Sequence, residues 1–166
     1  MLKACFECLG GTIRDENRDN GDLVTSNTNH TNIQAPPWPE NNDTMRLLLP
    51  RPLGATDNII ITGDLKPQPE RVVIGFYGGD GEKAFELILT NFNGNLATTQ
   101  NGTEIMVIKE DDFKLEFSFN RGIIYVLGDI ETIQENLTIE QEDIRYIMVD
   151  GDIARLKTLA FVFRDM

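Results

Sequence analysis

The chain is poor in the residues that most often build metal and redox sites. Its 166 residues include only two cysteines and one histidine. Cys5 and Cys8 form a C-x-x-C pair, but a four-ligand zinc site needs two more Cys or His, and only His30 remains. We interpret the pair as free thiols, with acylation or a disulfide as the alternatives, and we predict no metal and no cofactor.

Basic residues and long apolar runs are also scarce. Lys and Arg number 15 against 27 Asp and Glu, which gives a formal net charge of −12. This charge repels polyanions and excludes nucleic acid as a partner. No segment predicts a membrane span, and residues 1–6, which Glu7 follows, are too short for a signal-peptide core. We predict a cytoplasmic location, with export without a signal peptide as the alternative.

The amino-terminal quarter lacks any apolar period. Residues 10–44 are dominated by Asn, Asp, Thr, Gly and Pro, a composition that cannot offset the entropy cost of ordering. We therefore predict a disordered or loosely ordered tail over residues 1–44 and one domain over residues 45–166. Trp38, the only tryptophan, lies in a Pro-rich segment that we interpret as a stiff linker, with a polyproline ligand as the alternative.

From residue 45 onward the pattern changes to that of strands. Residues 59–65 and 71–77 are β-branched and apolar, and a Pro-containing loop separates them. Strict alternation at residues 84–89 and 114–119 predicts two half-buried strands. Their predicted inward side chains are Phe85, Leu87, Leu89, Leu115, Phe117 and Phe119. With a hairpin turn at Asn101-Gly102 and a helical turn only at 139–144, the pattern indicates an all-β sandwich or barrel.

The closing segments carry a resemblance to a known family. Residues 144–153 read Ile-Arg-Tyr-Ile-Met-Val-Asp-Gly-Asp-Ile, and an apolar strand follows at 159–163. With Arg51-Pro52-Leu53 near the start, the order of segments from about 47 to 163 resembles the galectins, which are β-galactoside-binding lectins. The resemblance implies an antiparallel two-sheet jelly-roll β-sandwich, galectin- or concanavalin-like, with one concave face for sugar. Many family members dimerise through terminal strands, so a homodimer is a further expectation.

The sugar-binding residues of the family are mostly missing. Galectins present H-x-N-x-R on one strand, where a histidine, an amide and a guanidinium meet the galactose. Two registers are open here, and they place either Leu87, Leu89 and Asn91 or Glu86, Ile88 and Thr90 at these three positions. Neither register restores His, Asn and Arg.

Four residues are candidates for what remains of a carbohydrate site. No tryptophan follows Trp38, and Asn101-Gly102 turns the chain where the resemblance implies a tryptophan loop. Glu104 is the candidate for the carboxylate of the family's W-x-x-E-x-R segment, with an exposed strand carboxylate as the alternative. Asn91, Asn93 and Asn101 are candidates for polar contacts at the groove edge, with turn chemistry as the alternative.

Two functions follow, and a third is set aside. The resemblance implies a lectin with an altered, non-galactoside glycan site, whose partner is a glycan or glycoprotein. The alternative is a module that has lost sugar binding and holds a protein partner. Asp129 and Glu131 alternate as the carboxylates of jelly-roll glycoside hydrolases do, but we interpret them as the polar outer face of a strand and predict that the protein is not an enzyme.

Overall fold

Residues 28–34, 44–100, 103–108, 111–128 and 132–164 are described in a computed structural model of the chain. These residues form strands and one short 3-10 helix at Gln141–Asp143. The strands are β1 (Thr28–Gln34), β2 (Thr44–Leu48), β3 (Asn58–Leu65), β4 (Arg71–Gly78), β5 (Lys83–Phe92), β6 (Asn95–Gln100), β7 (Thr103–Ile108), β8 (Asp112–Asn120), β9 (Ile123–Leu127), β10 (Thr132–Asn136), β11 (Ile144–Gly151) and β12 (Ile153–Arg164).

The strands form two sheets of six. The first sheet has the order β1-β12-β3-β8-β9-β10, and the second has the order β2-β11-β4-β5-β6-β7. Neighbouring strands within each sheet pair in antiparallel fashion. The predicted all-β, antiparallel two-sheet sandwich is therefore confirmed.

Alternating side chains fill the space between the sheets. Leu115, Phe117 and Phe119 of β8 are at most 1% exposed, which confirms the inward face predicted from their spacing. Phe76 of β4 meets two of these rings from the second sheet, with centroid distances of 5.0 Å to Phe117 and 5.3 Å to Phe119. Both contacts are edge-on, the arrangement that aromatic quadrupoles favour. These ring contacts pack β4 of the second sheet against β8 of the first.

One strand lies within the predicted tail. Thr28–Gln34 pairs along its whole length with β12, from Thr28 opposite Arg164 to Gln34 opposite Thr158. This strand lies within residues 1–44, for which the sequence predicts a disordered or loosely ordered tail. β1 is an outermost strand of its sheet and joins it through ladder hydrogen bonds to β12, which need no apolar period in the sequence.

Two hairpins turn on consecutive left-handed residues. Asn93 and Gly94 have φ of 52° and 86° between β5 and β6, and Arg121 and Gly122 have φ of 50° and 79° between β8 and β9. Positive φ at both central residues is the geometry that matches the twist of paired strands. The predicted hairpin between β6 and β7 is present, since Gln100 pairs with Thr103.

The carboxyl-terminal strand is longer than the sequence pattern indicated. β12 spans Ile153–Arg164, whereas the apolar run predicted only residues 159–163. The predicted helical turn is present as the 3-10 helix at Gln141–Asp143. Within the described ranges, no helix is long and apolar enough to cross a membrane, and no group of three His, Cys, Asp or Glu side chains could hold a metal ion.

Candidate functional site

The register of β5 decides which side chains reach the outer face of the second sheet, the face turned away from the first sheet. Leu87 and Leu89 are 4% and 0% exposed and belong to the core. Glu86, Ile88 and Thr90 alternate with them and lie on the outer face. The register that matched Leu87, Leu89 and Asn91 to the sugar-binding strand is therefore wrong, because it would turn core residues outward.

The neighbours of Ile88 on this face form an apolar centre with a polar margin. Ile88 is 40% exposed and pairs with Val73 of β4, which is 1% exposed and in turn pairs with Asp150 of β11. Asp150 accepts hydrogen bonds from the Thr44 hydroxyl at 2.7 Å and from Arg71 Nη1 at 3.2 Å. These contacts fix the polar groups on one side of the apolar centre.

On the other side of the centre, five side chains from four strands form a continuous line, here called the tyrosine row. The row comprises Arg46 of β2, Tyr146 of β11, Tyr77 of β4, and Glu86 and Lys83 of β5. Arg46 Cζ lies 5.3 Å from the Tyr146 ring centroid. The two tyrosine rings stack at 5.4 Å with planes 9° apart. The Tyr77 hydroxyl donates to Glu86 Oε2 at 2.8 Å, and Lys83 Nζ donates to Glu86 Oε1 at 3.4 Å.

The surroundings of Tyr77 lower its acidity. Burial raises the pKa of Tyr77 to about 12, and the hydrogen bond to Glu86 acts in the same direction. The ring lies over Gly75, where an added Cβ would be 2.5 Å from Tyr77 Cε2. The missing side chain at Gly75 therefore makes room for the ring, and Glu86, which pairs with Gly75 across the strands, comes within reach of the hydroxyl.

Two of the four residues predicted to bind carbohydrate, Asn91 and Asn93, lie in the β5–β6 hairpin. Asn91 Nδ2 donates to the Pro69 carbonyl at 3.1 Å, and Asn91 Oδ1 accepts from the Gly94 amide at 3.3 Å. Asn93 is exposed in the turn itself. Both residues thus have the turn role that was the alternative in the sequence analysis, and the structure does not bring Asn91 into the tyrosine row.

The remaining predicted residues are described only in part. Glu104 lies in β7 and pairs with Thr99, but its side chain lies outside the described part of the structure. Asn101 lies wholly outside it, as do Asp129 and Glu131. Sequence reasoning placed Glu86 as an outward residue in one register but assigned it no role, because its partner Tyr77 belongs to another strand.

Comparison with solved structures finds galectins. Galectin LEC-6 of Caenorhabditis elegans matches with a TM-score of 0.57 and 11% identity, over 84% of this chain and 99% of its own. Sheep galectin-11, in complex with glycerol, matches with a TM-score of 0.50 and 14% identity, over 70% of this chain and 97% of its own. No protein-family model and no curated protein sequence matches. At such identities the likeness lies in the architecture, and the chain is a divergent domain with the galectin fold.

Proposed function

We propose that this protein is a carbohydrate-binding, galectin-like lectin whose glycan site is altered and does not take galactosides. The observation that carries the proposal is the outward set Glu86, Ile88 and Thr90 on β5. This is the strand that the family resemblance assigns to H-x-N-x-R. A carboxylate, an aliphatic group and a hydroxyl cannot repeat the hydrogen bonds of imidazole, amide and guanidinium.

The composition of the face supports sugar as the ligand. Ile88 is exposed, and hydrogen-bonding groups lie on both sides of it along β5 in Glu86 and Thr90. Sites for small polar molecules commonly combine an apolar platform with a few placed polar groups. Hexoses have the complementary surface, with an apolar ring face bordered by hydroxyls.

A binding survey of the full chain tests the proposal. We expect binding to a subset of glycans on a printed array and no calorimetric signal with lactose, because the family's galactose-reading groups are replaced. The control is Glu116→Gln on the outer face of the first sheet, which removes a comparable carboxylate and should leave array binding unchanged. Lactose binding that Glu104→Ala abolishes would contradict the proposal.

The four candidate residues retain a place in this proposal as contacts at the margin. Asn91 would act by shaping the β5–β6 turn, while Asn93, Asn101 and Glu104 would contact a ligand that extends past β6 and β7. Single alanine substitutions separate these roles. Asn91→Ala should lower stability and affinity together, whereas Glu104→Ala should lower only affinity.

Exposed apolar side chains favour a second candidate function, a protein–protein interaction module. Leu48 is 63% exposed, Phe92 is 41% exposed and Ile88 is 40% exposed, and all three belong to strands of the second sheet. Aromatic and aliphatic side chains of this kind anchor protein interfaces. Two results together would favour this function over the lectin. The full chain would bind no glycan on the array, and it would bind a defined protein partner that neither Leu48→Asp nor Ile88→Asp binds.

The remaining expectations are part of the proposal. We propose no enzymatic activity; hydrolysis of an oligosaccharide that disappears in Glu131→Gln would contradict this. A cytoplasmic location, with export without a signal peptide as the alternative, and a homodimer remain predictions from the sequence and the family resemblance. The acidic charge of −12 continues to argue against nucleic acid as a partner.

A further inference from the structure

The charged groups on the outer face of the second sheet are unevenly distributed about β5. Arg46, Lys83 and Glu86 all lie in the tyrosine row, on the side of β2, β11 and β4. On the side of β6, the described outward positions next to β5 are Ala97, which pairs with Thr90, and Asn95, which pairs with Phe92. Among the side chains that the structure describes, the charged groups of this face therefore lie on β5 itself or on the side of β4, β11 and β2.

We propose that the tyrosine row is the centre of ligand recognition and that it takes a neutral sugar through two adjacent hydroxyl groups. This inference rests on the proposed lectin function and specifies where the ligand lies and which class it belongs to. The sugar at this centre lies over β11, β4 and β5, with Glu86 as its principal acceptor and the rings of Tyr77 and Tyr146 beside its apolar face. The rest of a longer glycan extends from it past β6 and β7.

The hydrogen-bonding capacity of Glu86 supports this role. Each carboxylate oxygen can accept two hydrogen bonds. In the described structure Oε2 accepts from Tyr77 and Oε1 accepts from Lys83, one bond each. Both oxygens therefore retain acceptor capacity, and two adjacent oxygens suit two neighbouring hydroxyl donors. The two existing donors hold the carboxylate in one orientation, which lowers the entropy cost of binding.

The same network supplies groups for the other hydroxyl atoms of a sugar. The Tyr77 oxygen donates its proton to Glu86 and can still accept a hydrogen bond. Lys83 has an ammonium with three donors, of which the bond to Glu86 uses one. Alternating donors and acceptors beside aromatic rings are complementary to a polyol, whose hydroxyls both donate and accept.

The charged side chains of the tyrosine row and the net charge of the chain favour a neutral ligand over a charged one. A cationic ligand would have to displace Arg46 from the Tyr146 ring or Lys83 from Glu86. An anionic ligand would lie beside the Glu86 carboxylate in a chain whose net charge is −12. A neutral hexose avoids both penalties, because it needs no counter-ion and uses the carboxylate as an acceptor.

The test uses the full chain on a printed array of neutral hexose oligosaccharides, together with their sialylated and sulfated counterparts. The affinity of the strongest neutral glycan is then measured by calorimetry. Glu86→Gln keeps the size of the side chain but removes the charge, and Tyr77→Phe removes one donor that orients it. We expect Glu86→Gln to weaken binding about tenfold or more, as loss of a charge-assisted hydrogen bond does. Tyr77→Phe should weaken binding in the same direction.

Two matched variants locate the site. Glu116→Gln removes a hydrogen-bonded carboxylate from the other sheet and should leave affinity within about twofold of the unmodified chain, a difference well below one hydrogen bond. Thr90→Ala, on the same strand beyond Ile88, should weaken binding less than Glu86→Gln does, because the hydroxyl that it removes is neutral. Deoxy analogues of the bound sugar should lose affinity in the unmodified chain at two adjacent positions, and in Glu86→Gln this selectivity should disappear.

Different failures of the test have different meanings. No binding to any glycan would overturn the lectin function and this inference with it. Binding that persists in Glu86→Gln but falls in Thr90→Ala would overturn the inference alone and place the ligand over β5 and β6. Binding restricted to sialylated or sulfated glycans would likewise leave a lectin but overturn the neutral class of ligand.

Discussion

Substitution of Gly75 by alanine isolates the contacts of the Tyr77 ring. An added Cβ would be 2.5 Å from Tyr77 Cε2 and 3.0 Å from both Cζ and the hydroxyl oxygen. The ring end of a side chain can rotate, whereas the strand backbone cannot, so the ring should move away. It would then lose the stack on Tyr146 and the hydrogen bond to Glu86.

The magnitude follows from these two contacts. An aromatic pair contributes about 0.5–1.5 kcal/mol, and a hydrogen bond to a charged group contributes about 1.5–3 kcal/mol. Replacing glycine by alanine within a strand returns about 0.5–1 kcal/mol. Because Glu86 and Tyr77 are partly exposed, we expect Gly75→Ala to lower the free energy of unfolding by about 1–3 kcal/mol in urea denaturation.

A double-mutant cycle with Tyr77→Ala tests this reasoning. Without the ring there is nothing for the new methyl group to displace, so Gly75→Ala should be neutral or slightly stabilising in that background. An equal loss of stability with and without the Tyr77 ring would refute the explanation. It would place the cost in the β4 backbone instead.

Three further outcomes follow from other contacts. The folded-state pKa of Tyr77 is about 12, above the ordinary 10.0. The stability that the neutral phenol contributes is therefore intact below pH 10 and is lost as the pH rises toward 12. Chemical denaturation should show a smaller loss of stability over this pH range in Tyr77→Phe than in the unmodified chain. Asp57, which is 0% exposed, accepts from the Gly54 amide at 2.7 Å, so Asp57→Ala should cost about 2–4 kcal/mol in urea denaturation; no loss would contradict its anchoring role. Gly151 has φ of +103°, and a Cβ there would collide with the Arg71 carbonyl, so Gly151→Ala should lower stability by at least about 2 kcal/mol, and an unchanged midpoint would contradict this.

The fold could be predicted from the sequence because the pattern of a strand or a tight turn is contained in a few neighbouring residues. Alternation at Leu115, Phe117 and Phe119 marks an inward face from neighbouring residues alone, and the Asn101-Gly102 pair indicates the hairpin between β6 and β7. β1 escaped prediction for the converse reason. Its pairing with β12 joins Thr28 to Arg164, 136 positions apart in the sequence, and leaves no apolar period in residues 28–34.

The tyrosine row could not be predicted because it is assembled from distant segments. Tyr77 and Tyr146 are 69 positions apart in the sequence, and only the pairing of β4 with β11 makes them neighbours. Alternation along β5 did predict, in one of two registers, that Glu86 points outward. Its hydrogen bond to the Tyr77 hydroxyl could not be predicted, because that contact depends on how the Tyr77 ring lies over Gly75 in the folded chain.

Consecutive aromatic residues on β4 connect the interior of the protein to the outer face of the second sheet. Phe76 points inward to Phe117 and Phe119, while Tyr77 points outward to Glu86. A slip of β4 by one residue would exchange the two rings, burying a phenol and exposing a phenyl group. Changes to the packing around Phe76 should therefore shift the Tyr77 ring and the tyrosine row, so that a substitution in the core can rearrange side chains on the surface.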